Sequence, residues 1–318
     1  MKELTVISGK GGTGKTSLVA SFAALARNTI VADCDVDAAD LHLVLAPQVV
    51  KKTPFVGGLK AHIDPESCTG CATCADLCRF EAVAAQGPPN AFTVETYTID
   101  PIACEGCGVC AHFCDAEAIT LKDAVQGEWF VSETRHGPMV HARLGIAAEN
   151  SGKLVSIIRA AARQLAEEHG EELVIVDGSP GIGCPVIASV TGCHLVMVVT
   201  EPTLSGVHDL ERVIGLAEHF SIPAAVVINK HDLNPEITGD VMSWCREKGV
   251  LVAGKIPYSP DFVQAMVASE SVVEMGDGPA ADAIKQIWRK TAGLLGLDDQ
   301  SGVASMVRDP QEHQPKTL

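Results

Sequence analysis

With 318 residues, 47% of them hydrophobic, the chain is long enough to bury one large α/β core with an insertion, or two modest domains. A formal charge of −16 argues against a nucleic-acid surface, because neutralising phosphates takes clustered Lys and Arg. No apolar run reaches the ~18 residues of a membrane helix, so no membrane anchor is expected.

Taken in order, residues 4–8 (Leu-Thr-Val-Ile-Ser) read as a buried strand entered from Met1-Lys2-Glu3 with no signal peptide. A glycine-rich loop follows, then a helix through Arg27. A second strand spans residues 29–32 and ends at Asp33. Further β-branched runs lie at 173–176, 195–199, 224–228 and 250–253, separated by helical stretches. Continuous apolar strands between helices predict a mostly parallel, doubly wound α/β sheet with its ligand at the strands' carboxyl ends.

The loop Gly9-Lys10-Gly11-Gly12-Thr13-Gly14-Lys15-Thr16 stands between strand and helix, the context a phosphate loop requires. Gly11, Gly12, Thr13, Gly14, Lys15, Thr16 and Ser17 form the expected nucleotide-binding set. Glycines let backbone amides approach phosphates, Lys15 reaches the β- and γ-phosphates, and the Thr16 hydroxyl ligates Mg²⁺. A loop for ATP also points to a reducing cytoplasm, where cysteines serve as ligands rather than disulfides.

Lysine before the glycines, at Lys10, resembles the deviant phosphate loop of the MinD/ParA/nitrogenase-iron-protein ATPases. The resemblance implies an ATP-sandwiched homodimer in which Lys10 reaches the partner's phosphates. It implies Asp35, in Asp33-Cys34-Asp35-Val36-Asp37, as the group positioning the attacking water, and Asp33 as an indirect Mg²⁺ partner. Asp37 reads as a helix cap. Asp177, in Asp177-Gly178-Ser179-Pro180-Gly181, matches the aspartate that holds Mg²⁺ through water. Asn229-Lys230-His231-Asp232 resembles a guanine-reading motif, but in this family the asparagine sits beside adenine, with Pro257 and Tyr258 flanking the base. The lysine-first loop favours ATP/ADP.

Between residues 59 and 122 the texture changes, giving expected divisions at 1–58, 59–122, 123–297 and a disordered tail at 298–318. Eight of the twelve cysteines fall in two runs, Cys68-x2-Cys71-x2-Cys74-x3-Cys78 and Cys104-x2-Cys107-x2-Cys110-x3-Cys114. Ile63-Asp64-Pro65 recurs as Ile99-Asp100-Pro101, and Glu81-Ala82 as Glu117-Ala118, a duplication with 36-residue spacing. Zinc sites usually present two short cysteine pairs across a longer spacer, whereas three cysteines at strict two-residue gaps suit cubane clusters. The pattern resembles a bacterial two-cluster ferredoxin domain of α+β type. That likeness implies two [4Fe–4S] clusters, one on Cys68, Cys71, Cys74 and Cys114, the other on Cys104, Cys107, Cys110 and Cys78. Arg79 and Asp115 stand where that family usually has proline. Acidic residues around the unit, among them Asp64, Glu66, Glu105 and Glu117, either steer a basic redox partner or solvate a surface.

The whole is similar to MinD-superfamily ATPases with an inserted ferredoxin domain, proteins often labelled cobyrinic acid a,c-diamide synthases. No glutaminase domain accompanies it, so amidotransfer is not expected. Three functions follow from the resemblance: ATP-driven electron transfer to an unidentified redox partner, iron–sulfur carriage or assembly, and MinD-like positioning with a redox sensor. The carrier family's Cys-x2-Cys near the C-terminal end is missing, and no anchor serves the third. Cys184, with Cys193 or Cys245, is a candidate for an extra bridging cluster, although a small buried residue is the favoured reading for all three and for Cys34. Residues 132–139 and 149–153 read as a coupling segment or as a hairpin returning to the sheet.

Overall fold

The computed structural model describes residues 1–145 and 151–297. The expected tail, and Glu149 and Asn150 of the 149–153 segment, lie outside the described residues. The described residues form two compact units: Met1–Lys52 with Trp129–Arg143 and 151–297, and Thr53–Glu128 with 144–145.

In the first unit, β1 (Lys2–Ser8), α1 (Lys15–Leu25), β2 (Thr29–Asp33) and α2 (Leu41–Leu45) come first. β3 (Gln48–Ile63) leads into the second unit, which contains α3 (Thr73–Asp76), β4 (Val83–Gly87), β5 (Thr96–Ile99) and α4 (Val109–His112). The chain returns through β6 (Ile119–Thr134) and β7 (Gly137–Leu144). Then come α5 (Ser151–His169), β8 (Leu173–Pro180), α6 (Cys184–Val190), β9 (Leu195–Thr200), α7 (Leu204–His219) and β10 (Ala224–Asn229). α8 (Pro235–Lys248), β11 (Leu251–Ile256), α9 (Asp261–Val267) and α10 (Pro279–Leu295) complete the described chain.

The strands order as β11-β10-β9-β1-β8-β2-β7-β6-β3. β1 pairs parallel with β8 and β9, β10 with β9 and β11, and β2 with β8 and β7. Both faces are apolar because successive side chains point oppositely. Leu4, Val6, Met197 and Val227 share one core with Phe22 of α1 and Trp288 of α10, whose rings lie 5.1 Å apart. Ile7, Val198 and Val226 share the other with Val213 of α7 and Val241 of α8. Parallel strands bring their carboxyl ends to one edge, so Ser8, Asp33, Thr200, Asn229 and Ile256 finish together. Asp37 caps no helix: it lies in an exposed turn, and α2 starts four residues later with Asp40 at its N-cap.

Residues 132–139 form the β6–β7 hairpin, with Arg135 and His136 at its turn. Arg135 Nε and Nη2 donate to the Glu274 carboxylate at 2.7 and 3.0 Å, and its guanidinium also reaches the Val44 carbonyl of α2 at 3.1 Å. His136 Nε2 lies 2.8 Å from Glu274, and Ser271 donates to the same carboxylate through its N–H and hydroxyl at 2.7 Å. Burial pulls the Glu274 pKa upward, but the bonds from His136, Arg135 and Ser271 outweigh it and hold the carboxyl well below its ordinary 4.5. Glu274→Gln is therefore expected to cost about 1–3 kcal/mol in urea unfolding near neutral pH. A carboxylate whose folded pKa is depressed stabilises above its unfolded value and loses that contribution as pH falls. The gap between wild type and variant should shrink progressively below the ordinary 4.5.

Within the second unit, the duplication seen in sequence is closed by exchange. Asp64 N–H donates to the Ala118 carbonyl and Asp100 N–H to the Ala82 carbonyl, both at 2.8 Å, so each copy begins against the other's end. Ala72 and Gly108 precede the two short helices with φ of 69° and 78°, and Glu81 and Glu117 follow with φ of 52° and 49°. Ala61, Ile63, Ala82, Ala118 and Ile119 form the apolar centre with Cys68, Cys74 and Cys104.

Candidate nucleotide site and thiol-lined cavities

Between β1 and α1 the loop needs left-handed backbone at Gly12 and Gly14, with φ of 78° and 90°. A Cβ on Gly14 would come within 2.3 Å of Asn229 Nδ2, so glycine is required there on two counts. Lys15 opens α1 and is buried. Its ammonium lies 2.6 Å from Asp177 Oδ1 and 3.1 Å from Asp35 Oδ2. Burial alone would discharge it, yet Asp177 and Asp35 overcome that and raise its pKa above the usual lysine value.

Asp33, Asp35 and Asp177 come together around Lys15 from β2, the loop after β2, and β8. Asp35 N–H donates to Asp33 Oδ1 at 3.2 Å, and Cys34 N–H to the Asp177 carbonyl at 2.8 Å. Burial, then repulsion from Asp177, pushes the Asp33 carboxyl well above the carboxylate range. Burial also raises Asp35, against the pull of Lys15. Thr13 Oγ1, Asp33 Oδ2 and Asp177 Oδ2 are buried without hydrogen-bond partners. Orphaned oxygens beside a buried ammonium are costly unless a ligand completes them. Asp33 and Asp177 each keep one such oxygen, a hard donor of the kind Mg²⁺ takes. Thr16, in the first turn of α1, is half-buried.

Lys10 is held within its own chain. Its Nζ lies 2.7 Å from Glu201 Oε1 and donates to Thr203 Oγ1 at 3.3 Å and Ser205 Oγ at 3.1 Å. Glu201 also receives Lys230 Nζ at 3.0 Å, and that ammonium reaches the Gly12 carbonyl at 3.3 Å. Sequence reasoning missed Glu201. Its one signal was position, immediately after a parallel strand's carboxyl end. Asn229 is buried, donating to the Thr13 carbonyl at 2.8 Å and accepting from Lys230 N–H at 2.9 Å. Its amide is thus committed to the phosphate loop. Tyr258 N–H donates to Asp232 Oδ1 at 2.7 Å, joining the Pro257-Tyr258 loop to the end of β10 and leaving the ring exposed.

In the second unit the eight repeated cysteines line two cavities. Cys68, Cys71, Cys74 and Cys114 line one. Cys78, Cys104, Cys107 and Cys110 line the other. The last cysteine of each run is exchanged between them. Burial pushes the Cys74 thiol up to about 11, while the Thr73 hydroxyl pulls exposed Cys71 down. Among the described residues, no three His, Cys, Asp or Glu side chains converge on a point that holds a single metal ion. Four soft thiols spread around a cavity are chemically matched to a polynuclear iron–sulfur group. Elsewhere Cys34, Cys193 and Cys245 are buried, but Cys184 is exposed at the first turn of α6, against the expectation that it would be buried.

A parallel sheet whose first strand runs through a glycine loop into a helix, with aspartates converging on the loop's lysine, defines a P-loop nucleotide-binding protein. The model of the CobQ/CobB/MinD/ParA nucleotide binding domain matches residues 4–272, and the chain belongs to that family. Two uncharacterized proteins of Methanocaldococcus jannaschii are similar to it. MJ0578 is 33% identical over 291 residues, covering 91% of this chain and 95% of that protein. MJ0579 is 25% identical over 287 residues, covering 87% and 93%. Among solved structures, Pyrococcus horikoshii MinD complexed with Mg-ADP superposes with a TM-score of 0.54 at 15% identity, over 93% of this chain and 98% of that one. The Aquifex aeolicus MinC:MinD complex gives 0.56 at 17%, over 92% and 96%. Among the described residues, no helix is long and apolar enough to cross a membrane.

Proposed function

We propose that this chain is a Mg²⁺-dependent ATPase whose nucleotide-driven dimer switch is coupled to electron transfer through two [4Fe–4S] clusters. The observation that carries the redox half is the partition of eight thiols into two sets of four, each closed by the other run's last cysteine. Bound by such thiolates, an iron–sulfur cubane supplies one-electron chemistry. The Mg-ADP bound by the Pyrococcus MinD supports ATP/ADP and Mg²⁺ as the ligands of the first unit.

On this reading the loop amides and Lys15 hold the phosphates, and Asp35 orients the attacking water. Thr16 ligates Mg²⁺, with Asp33 and Asp177 supporting it through water. Nucleotide charge draws Lys15 away from Asp35 and Asp177, so the loop bearing Asp35 and the segment that follows Asp177 rearrange on binding. Lys10, once free of Glu201, supplies charge to a partner copy's phosphates. Asn229, Pro257 and Tyr258 flank the base. A cytoplasmic setting and a separate redox partner protein complete the proposal.

Anaerobic reconstitution, followed by Mg-ATP and an apo-ferredoxin acceptor, tests it. Iron is expected to stay on this chain while phosphate is released. Substantial transfer of iron to the acceptor would replace electron transfer with cluster carriage.

A further inference from the structure

The two thiol sets have the same ligands but different surroundings. The carbonyl of each run's first cysteine accepts a side-chain hydrogen bond. For Cys68 the donor is the neutral amide of Asn90, at 2.6 Å, which also reaches the Pro65 carbonyl at 2.6 Å. For Cys104 the donor is the half-buried ammonium of Lys60. The duplication therefore places an amide in one copy and a full positive charge in the other.

Two further contacts point the same way. Gly106 N–H donates to Cys104 Sγ and Ala82 N–H to Cys78 Sγ, both at 3.4 Å, and both sulfurs belong to the Lys60 side. On the Asn90 side, Thr73 Oγ1 lies 3.4 Å from Cys71 Sγ. Lys60 also lines a groove of ≈ 510 Å³ with His62 and Lys122, where Asp123 is the opposing charge. That groove shares Ala61 and Ile99 with the cavity of Cys104. Glu105 lines the same cavity but is exposed, so water and salt screen it more than they screen Lys60.

We propose that Lys60 is a positioning residue that makes the two sets unequal and directs an incoming electron to Cys78, Cys104, Cys107 and Cys110. The inference rests on the cluster reading above. Reduction adds one negative charge to a thiolate-bound group, with no bond made or broken and no proton moved. A nearby cation and N–H donors to sulfur favour that added charge and raise the potential. The electron comes from an external one-electron donor, for which dithionite serves as the probe. The amide at Asn90 gives the other set no comparable charge.

The test is a dithionite titration of the anaerobically reconstituted full chain, followed by electron paramagnetic resonance, with iron counted on the same samples. Two one-electron waves are expected. Lys60→Met should lower the upper wave alone, changing the ratio of the two reduced populations by about tenfold. Lys60→Arg should retain it, and Asn90→Lys should raise the lower wave. About eight irons per chain with waves that Lys60→Met leaves in place, or moves together, overturn the role of Lys60 alone. Failure to take up iron overturns the cluster reading and this inference with it.

Discussion

Lys15→Ala is expected to lower ATP hydrolysis by at least about 10³-fold in a phosphate-release assay, because it removes the charge that meets the transferring phosphoryl group. The same change leaves Asp35 and Asp177, which lie within 3.1 Å of the ammonium, facing each other across an emptied space. Breaking a buried ion pair in this way costs about 3–5 kcal/mol, so the variant should also unfold more easily. Mg²⁺ binding to the freed carboxylates should recover part of that loss. Lys10→Ala separates the two effects. Its side chain is a third exposed and so partly screened by water, and stability should change by about 1 kcal/mol or less. Hydrolysis should still fall, by roughly 10²-fold or more, with nucleotide binding retained. Normal turnover in Lys10→Ala would remove the partner-reaching role drawn from the family resemblance.

The second large effect concerns the exchanged cysteines. Cys114→Ser is expected to strip iron from the set of Cys68, Cys71 and Cys74, and Cys78→Ser from the set of Cys104, Cys107 and Cys110. Each variant should hold about half the iron of the wild type, with one spectroscopic signal lost. Pairing within each run would give the opposite assignment. Lys60→Met discriminates between the two, because it perturbs the signal that survives in Cys114→Ser and leaves the one that survives in Cys78→Ser unmoved.

The parallel sheet was legible because its strands are apolar on both faces. Leu4 and Val6 reach one core while Ile7 reaches the other, which writes them as continuous β-branched runs. β3 and β6 were not anticipated as strands. Gln48-Val49-Val50-Lys51-Lys52 is exposed throughout, and β6 is buried only in part, so neither presents a core pattern. Both are sixteen residues long and pass from one compact unit to the other, which the expected divisions at 58 and 122 cut through.

In the site, Lys15, Asp33, Asp35 and Asp177 were readable because each sits at a fixed offset from a strand end. Glu201 was not, because its partner Lys10 is distant in sequence and meets it only through the pairing of β1 with β9. The link from Arg135 to Glu274 was hidden for the same reason, its ends standing 139 positions apart in sequence. Asp37 looked like a cap because aspartate favours that position, but the chain needs more residues to turn before α2 can pack Leu41 and Leu45 into the core. The exchange of the last cysteines was implied by the resemblance of the two runs to a two-cluster ferredoxin, and the two lined cavities group the thiols in that way. What spacing alone left hidden was the inequality of the two sets, since Lys60 and Asn90 lie in segments with no motif of their own.

The central claim is that one chain couples a nucleotide switch to redox centres, and one titration tests it most directly. The reduction potentials of the reconstituted chain are measured with and without Mg-ATP, in the wild type and in Lys15→Ala. The account predicts that Mg-ATP moves at least one wave in the wild type and neither in the variant. Identical potentials in a wild-type chain that carries its full iron and binds ATP would contradict it.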